Sequence, residues 1–215
     1  MFRDLLDAKR TLIHDAVDEL VRMIERAQRM FDASCGLLLD GTPVEGALAE
    51  DEDINVGERL VRRLVAQHLV ISPERDLPAS LALLSTVHDV ERLGDYAKSL
   101  VELTPWADAL AASPLTESCR GLHQTIAPQF DLTLRAVRDS DVDAAREVMR
   151  IHMQVKETTD GLLQDAMSRA GAAGSEAVLY GVASRYLRRV SGHLSNVASS
   201  VVNPLDQLAG QETPE

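Results

Sequence analysis

Glu91 and Asp95 stand four residues apart, a spacing that on a helix puts both carboxylates on one face about 6 Å apart at Cβ. His88 falls on nearly the same stripe. Upstream, Asp51, Asn55 and Glu58 form a second stripe of the same kind, with Glu52 and Asp53 beside it. If the two segments are antiparallel helices, the oxygens of Asp51, Asn55, Glu91 and Asp95 can converge on a hard cation, with Glu58 and His88 as further donors. Mg, Mn, Fe and Zn ions are the candidates. The competing reading makes the same stripes solvated faces or ion pairs within their own helices.

Other chemistry has fewer advocates. No Glu-x-x-His pair of the di-iron helical bundles is present, nor is a Walker loop, a GxGxxG, a GxSxG or an HExxH motif. A carboxylate-bridged metalloenzyme stays open as the alternative of another class. His14, His68, His123, His152 and His193 lie on separate expected helices, where each reads as a surface or satisfied interior histidine, and a phosphotransfer histidine is the sharper alternative. Arg59, Arg62 and Arg63 make a basic stripe, as do Arg185, Arg188 and Arg189. Pairing with neighbouring acids is the ordinary account of such stripes, and an anion site the less ordinary one.

The elements that must position these groups follow from periodicity. Apolar residues return every three or four positions from Leu5 through Ile13, Leu20, Ile24 and Phe31, which predicts a long amphipathic helix from about residue 2 to just before Gly41. Thr42, Pro43 and Glu45 read as N-cap, first-turn proline and capping-box acid of a second helix over residues 43–70. Asp76-Leu77-Pro78 punctuates again, and the period resumes through Leu84, Val90, Leu93 and Val101 as a third helix. Ser113-Pro114 opens a fourth, which Pro128 should kink. Ser140 to Asp143 cap a fifth that ends near residues 171–174, and a sixth spans about 176–202. The tail after Pro204 has little to bury and is expected to fray.

Alternation of the β kind is absent, so the chain is expected to be all-α: an elongated bundle of six helices, each about 38 Å long. The 215 residues can bury a core without staples, and Cys35 and Cys119, lacking CxxC spacing, read as buried and reduced. A formal charge of −12 with 3% aromatics argues against nucleic acid and for basic partners or metal ions. With no secretory signal and no apolar run of about 18 residues, the expectation is a cytoplasmic chain that meets a membrane only peripherally, through partners.

Cut near Ser113, the chain gives two halves of three helices each, and the apolar pattern of residues 90–97 falls on that of residues 187–194. The run from Asp76-Leu77 through Leu81-Ala82-Leu83-Leu84 to Val90-Glu91-Arg92-Leu93-Gly94-Asp95-Tyr96-Ala97 resembles the signature of the PhoU family of bacterial phosphate-transport regulators, roughly DLR, a helical spacer, then LERIGDHA. Residues 51–58 resemble that family's preceding helix, although Leu77-Pro78 stands where Leu-Arg is usual. The resemblance implies two three-helix repeats, residues 1–110 and 111–204, before a disordered tail at 205–215.

Family members bind metal through E(D)xxxD pairs on adjacent helices, a role the resemblance assigns here to Asp51 with Asn55 and Glu91 with Asp95. Asn55 removes one charge from the set. In the second repeat the matching positions hold His152, Lys156, Arg188 and Gly192, so no metal is expected there. By resemblance, the chain is a non-enzymatic cytoplasmic regulator of phosphate transport and of phosphate-starvation signalling through the Pho regulon. It would act by contact with a phosphate transporter component or a sensor histidine kinase, and homodimerisation is open. The alternative within the resemblance is an accessory protein of a sodium/phosphate or Pit-type permease.

Overall fold

Capping chemistry sets where each helix begins and ends. The computed structural model describes residues 11–42, 47–109, 114–169 and 174–202. These form α1 (Leu12–Asp40), α2 (Glu50–Ile71), α3 (Leu77–Val101), α4 (Pro114–Asp139), α5 (Val142–Arg169) and α6 (Gly174–Val202), with short 3₁₀ turns at Ala47–Ala49 and Thr104–Ala109. There is no strand among the described residues. At 22 to 29 residues each, the helices are about 33 to 44 Å long.

The backbone N–H of Thr11 donates to Nδ1 of His14 at 3.0 Å, a histidine in the place a capping-box Glu or Gln would take. α1 ends at Gly41, whose φ of +63° is the left-handed conformation glycine reaches without strain. The Gly41 N–H donates to the Leu37 carbonyl at 3.1 Å, and that of Thr42 to the Gly36 carbonyl at 3.3 Å. α2 opens on Glu50, Asp51, Glu52 and Asp53, four acids at the positive end of the helix dipole. α5 is capped by Asp141, whose Oδ1 accepts the Ala144 N–H at 2.9 Å. That bond, reinforced by Arg135, holds the Asp141 carboxyl below the usual carboxylate range.

The expected ends differ in places from the observed ones. The second helix begins at Glu50, seven residues after the expected start, and the capping residues Pro43 and Glu45 lie outside the described residues. Residues 2–10 of the expected first helix and the tail from 203 lie outside them too. α4 runs continuously past Pro128. None of the described helices is long and apolar enough to cross a membrane.

α1, α2 and α3 pack on one another, as do α4, α5 and α6, and the two sets join through α1 on α4 and α3 on α6. α2 and α5 therefore occupy corresponding outer positions, each flanked by its own set. One continuous core runs through both sets, with Phe31, Phe130, Met23, Ile54 and Leu93 fully buried. Cys35 and Cys119 are buried and free, as expected, and burial pushes the Cys119 thiol up to about 12. At the α3–α6 junction Tyr96 lies 5.9 Å from Tyr186 and stacks on His193 at 5.5 Å, while Asp89 accepts from His193 Nδ1 at 2.8 Å and from Asn196 Nδ2 at 2.9 Å.

Candidate functional site

Gly57 on α2 and Gly94 on α3 let α2 settle deep between its neighbours. A Cβ on Gly94 would lie 3.1 Å from Ile54 Cδ1 and 3.8 Å from Asp51 Oδ1, so α3 meets α2 closely where the acidic stripes face each other. The seam predicted between the second and third helices is thus assembled, with Asp51, Asn55 and Glu58 on α2 and His88, Glu91 and Asp95 on α3. Asp51, Asn55, Glu58, Glu91 and Asp95 are all half-buried.

Its charge balance differs from the one expected of a row of free carboxylates. Lys98 Nζ donates to Asp51 Oδ2 at 3.0 Å and lies 3.6 Å from Asp95 Oδ1, bridging the two helices. Arg92 Nη1 donates to Asp95 Oδ2 at 2.9 Å and its Nε lies 3.7 Å from Glu91. Arg62 holds Glu58 at 2.8 Å, and His88 Nδ1 stands 3.5 Å from Glu91 and 3.9 Å from Glu58. The bond to Asp51 pushes the Lys98 ammonium up, which keeps it a cation.

Glu91 is the least settled member. Its Oε2 is buried without a hydrogen-bond donor, and burial, then the Asp95 charge, pushes its carboxyl above the usual range against the pull of Arg92 and His88. Lys98 and Arg92 are the residues that reading the acids alone misses. A signal was present, because Lys98 follows Asp95 at i+3 and Glu91 at i+7 and so falls on the same stripe.

As arranged, these side chains do not make a coordination shell. Among the described residues, no three His, Cys, Asp or Glu side chains gather closely enough to hold a metal ion, and the carboxylates of Asp51 and Asp95 are engaged by the Lys98 ammonium and the Arg92 guanidinium.

The matching positions of the second set also meet, with the opposite charge. His152 on α5 reaches α6, its Nδ1 3.1 Å from Ser191 Oγ and its Cε1 3.4 Å from where a Cβ on Gly192 would stand. Arg188 binds Asp160, and Lys156 is exposed one turn after His152. The other four histidines have partners: His14 at the α1 cap, His68 at Arg75 O and Asp76, His123 at Asp32 and His193 at Asp89. In the first basic stripe Arg59 pairs with Glu52 and Arg62 with Glu58.

Among the described residues, then, six helices form a bundle whose second and third members carry a charged, glycine-fitted seam. Residues 20–104, which span most of α1 together with α2 and α3, match the family model of the PhoU domain. The chain is 28% identical to a phosphate-specific transport system accessory protein PhoU homolog of Xylella fastidiosa (strain 9a5c), over 66% of its own length and 58% of that protein's. It thus spans just under three fifths of that relative. An uncharacterized protein of Deinococcus radiodurans is also 28% identical and matches over 92% of this chain and 94% of its own length. The crystal structure of PhoU from Pseudomonas aeruginosa has the same fold, with a TM-score of 0.81 at 20% identity over 93% of this chain and 98% of that one.

Proposed function

We propose that this chain is a non-enzymatic cytoplasmic accessory protein that regulates phosphate transport and phosphate-starvation signalling by contact with a phosphate transporter component or a sensor histidine kinase. The observation that carries this reading is the match of residues 20–104 to the PhoU domain model, to which the name of the Xylella relative adds the transport system. Paired helix faces bearing alternating charge suit such contacts, because complementary charge at a rim sets encounter rate and partner choice. Deleting the gene in its native host should raise phosphate-starvation gene output several-fold in phosphate-rich medium, read from a reporter of a starvation promoter. Unchanged output and unchanged phosphate uptake would remove the reading.

The seam adds a finer proposal about metal. A divalent ion seeking Asp51, Asn55, Glu91 and Asp95 competes with Lys98 and Arg92 for the same oxygens. Removing the ammonium in Lys98→Ala should let Mn²⁺ or Mg²⁺ bind, and an ion at a hundred times its Kd stabilises the folded chain by about 2.7 kcal/mol. The expected result is a rise in Tm with added ion for Lys98→Ala and little change for the unaltered chain. Stoichiometric metal in the purified unaltered protein, by elemental analysis, would show instead that the ion displaces Lys98.

A further inference from the structure

Between α5 and α6 lies a cavity of about 290 Å³ whose walls are three arginines, Arg185, Arg188 and Arg189, together with His152, His193 and Asn196. No carboxylate lines it. This is unusual in a chain of net charge −12, whose other arginines are for the most part held by acids. Asp160 anchors Arg188 and Asp89 anchors His193, but among the described residues no carboxylate comes within 4.0 Å of Arg185 or Arg189. Among the described residues, two guanidinium forks at one pocket thus face no carboxylate partner.

The floor of the cavity is built to stay open. Gly192 leaves the space that a Cβ would take beside the His152 ring, 3.4 Å from Cε1 and 3.9 Å from Nε2. Because Nδ1 of His152 is engaged with Ser191 Oγ, Nε2 is the nitrogen left for a ligand. The volume sits at the low end of small-molecule sites, roughly 300 Å³, so it suits a small ligand. Planar forks in this number favour a tetrahedral oxyanion with several acceptor oxygens.

We propose that this pocket binds a small phosphate dianion, either inorganic phosphate or a phosphate monoester, with Arg185 and Arg189 as its principal donors and Arg188 and His152 Nε2 completing the shell. It occupies the place in the second helix set that the acidic seam occupies in the first, with the charge reversed. Burial, then the charges of Arg188 and Lys156, lower the His152 pKa. A bound dianion offsets the two cationic contributions and raises it again. The proposal goes beyond the regulatory reading and does not rest on it.

The test is isothermal titration of the full chain at low ionic strength with inorganic phosphate and with glycerol 3-phosphate, alongside flotation with vesicles of phosphatidylcholine with and without phosphatidic acid. Saturable one-to-one binding is expected, with the His152 imidazole signals moving to a higher titration midpoint by NMR. Arg185→Gln and Arg189→Gln, both at exposed positions that leave the core intact, should each weaken binding about tenfold or more. Binding to phosphatidic acid vesicles alone, lost in the same variants, identifies the monoester as a lipid head group. Absence of binding in every arm, or binding that both variants leave unchanged, overturns the proposal. A chain that binds no phosphate but whose deletion still raises starvation output loses the pocket alone, and the converse loses the regulatory reading alone.

Discussion

Phe31→Ala should destabilise the protein by about 3 to 5 kcal/mol, the range for removing a fully buried aromatic side chain. Phe31 is 0% exposed, and its ring centroid lies 5.4 Å from that of Phe130 on α4 and 5.4 Å from that of His123. The lost contacts are therefore those that join the two three-helix sets, and aromatic pairs of this geometry add about 0.5 to 1.5 kcal/mol beyond their area. The same α1–α4 junction is rimmed by exposed pairs, Arg138 with Glu25 at 2.7 Å and Arg120 with Asp40 at 2.6 Å. Such pairs are worth at most about 1 kcal/mol, so Arg138→Ala is the control that should change little. Urea denaturation of the two variants decides it: a loss under about 1 kcal/mol for Phe31→Ala would mean that the junction is not held by its core.

What the sequence disclosed depended on how local the responsible physics is. Gly41 ends α1 through a backbone conformation that belongs to one residue, and the period of apolar positions gave six helices because burial of one stripe is repeated every turn. The acidic stripes could be placed on facing helices for the same reason. The cations that occupy the seam depend on a tertiary fact, the side of α3 turned toward α2, and Lys98 gains its meaning only when Asp51 is 3.0 Å away. The α2 start was misplaced because Thr42, Pro43 and Glu45 spell a capping box locally, whereas the four acids of Glu50 to Asp53 mark the N-terminus observed. Arg185, Arg188 and Arg189 were legible as a basic stripe. That two of them stay unpaired at a cavity was not, since pairing is decided by which acids other helices bring near.

Gly57→Val should cost about 3 kcal/mol, and the reason lies in how close α2 approaches α1. A Cβ at position 57 would stand 2.7 Å from Met23 Cγ and 2.9 Å from Glu19 Oε1, contacts that real side chains do not make. Met23 is 0% exposed and has no solvent to retreat into. Glu19 is 7% exposed and held by Arg22 at 2.6 Å and Arg26 at 3.2 Å, so pushing it aside strains a mostly buried carboxylate against its partners. Overpacking of this kind costs about 1 to 3 kcal/mol, and valine recovers only a few tenths through its better helix propensity than glycine. Gly57→Ala, with no γ-methyls and a gain of up to about 1 kcal/mol in propensity, should lose less. Because α2 carries Asp51, Asn55 and Glu58, an outward shift that relieved Met23 would also open the Asp51–Lys98 bridge. Chemical denaturation should therefore show a loss that shrinks when Met23→Ala is combined with Gly57→Val. Equal losses with and without Met23 would place the strain elsewhere.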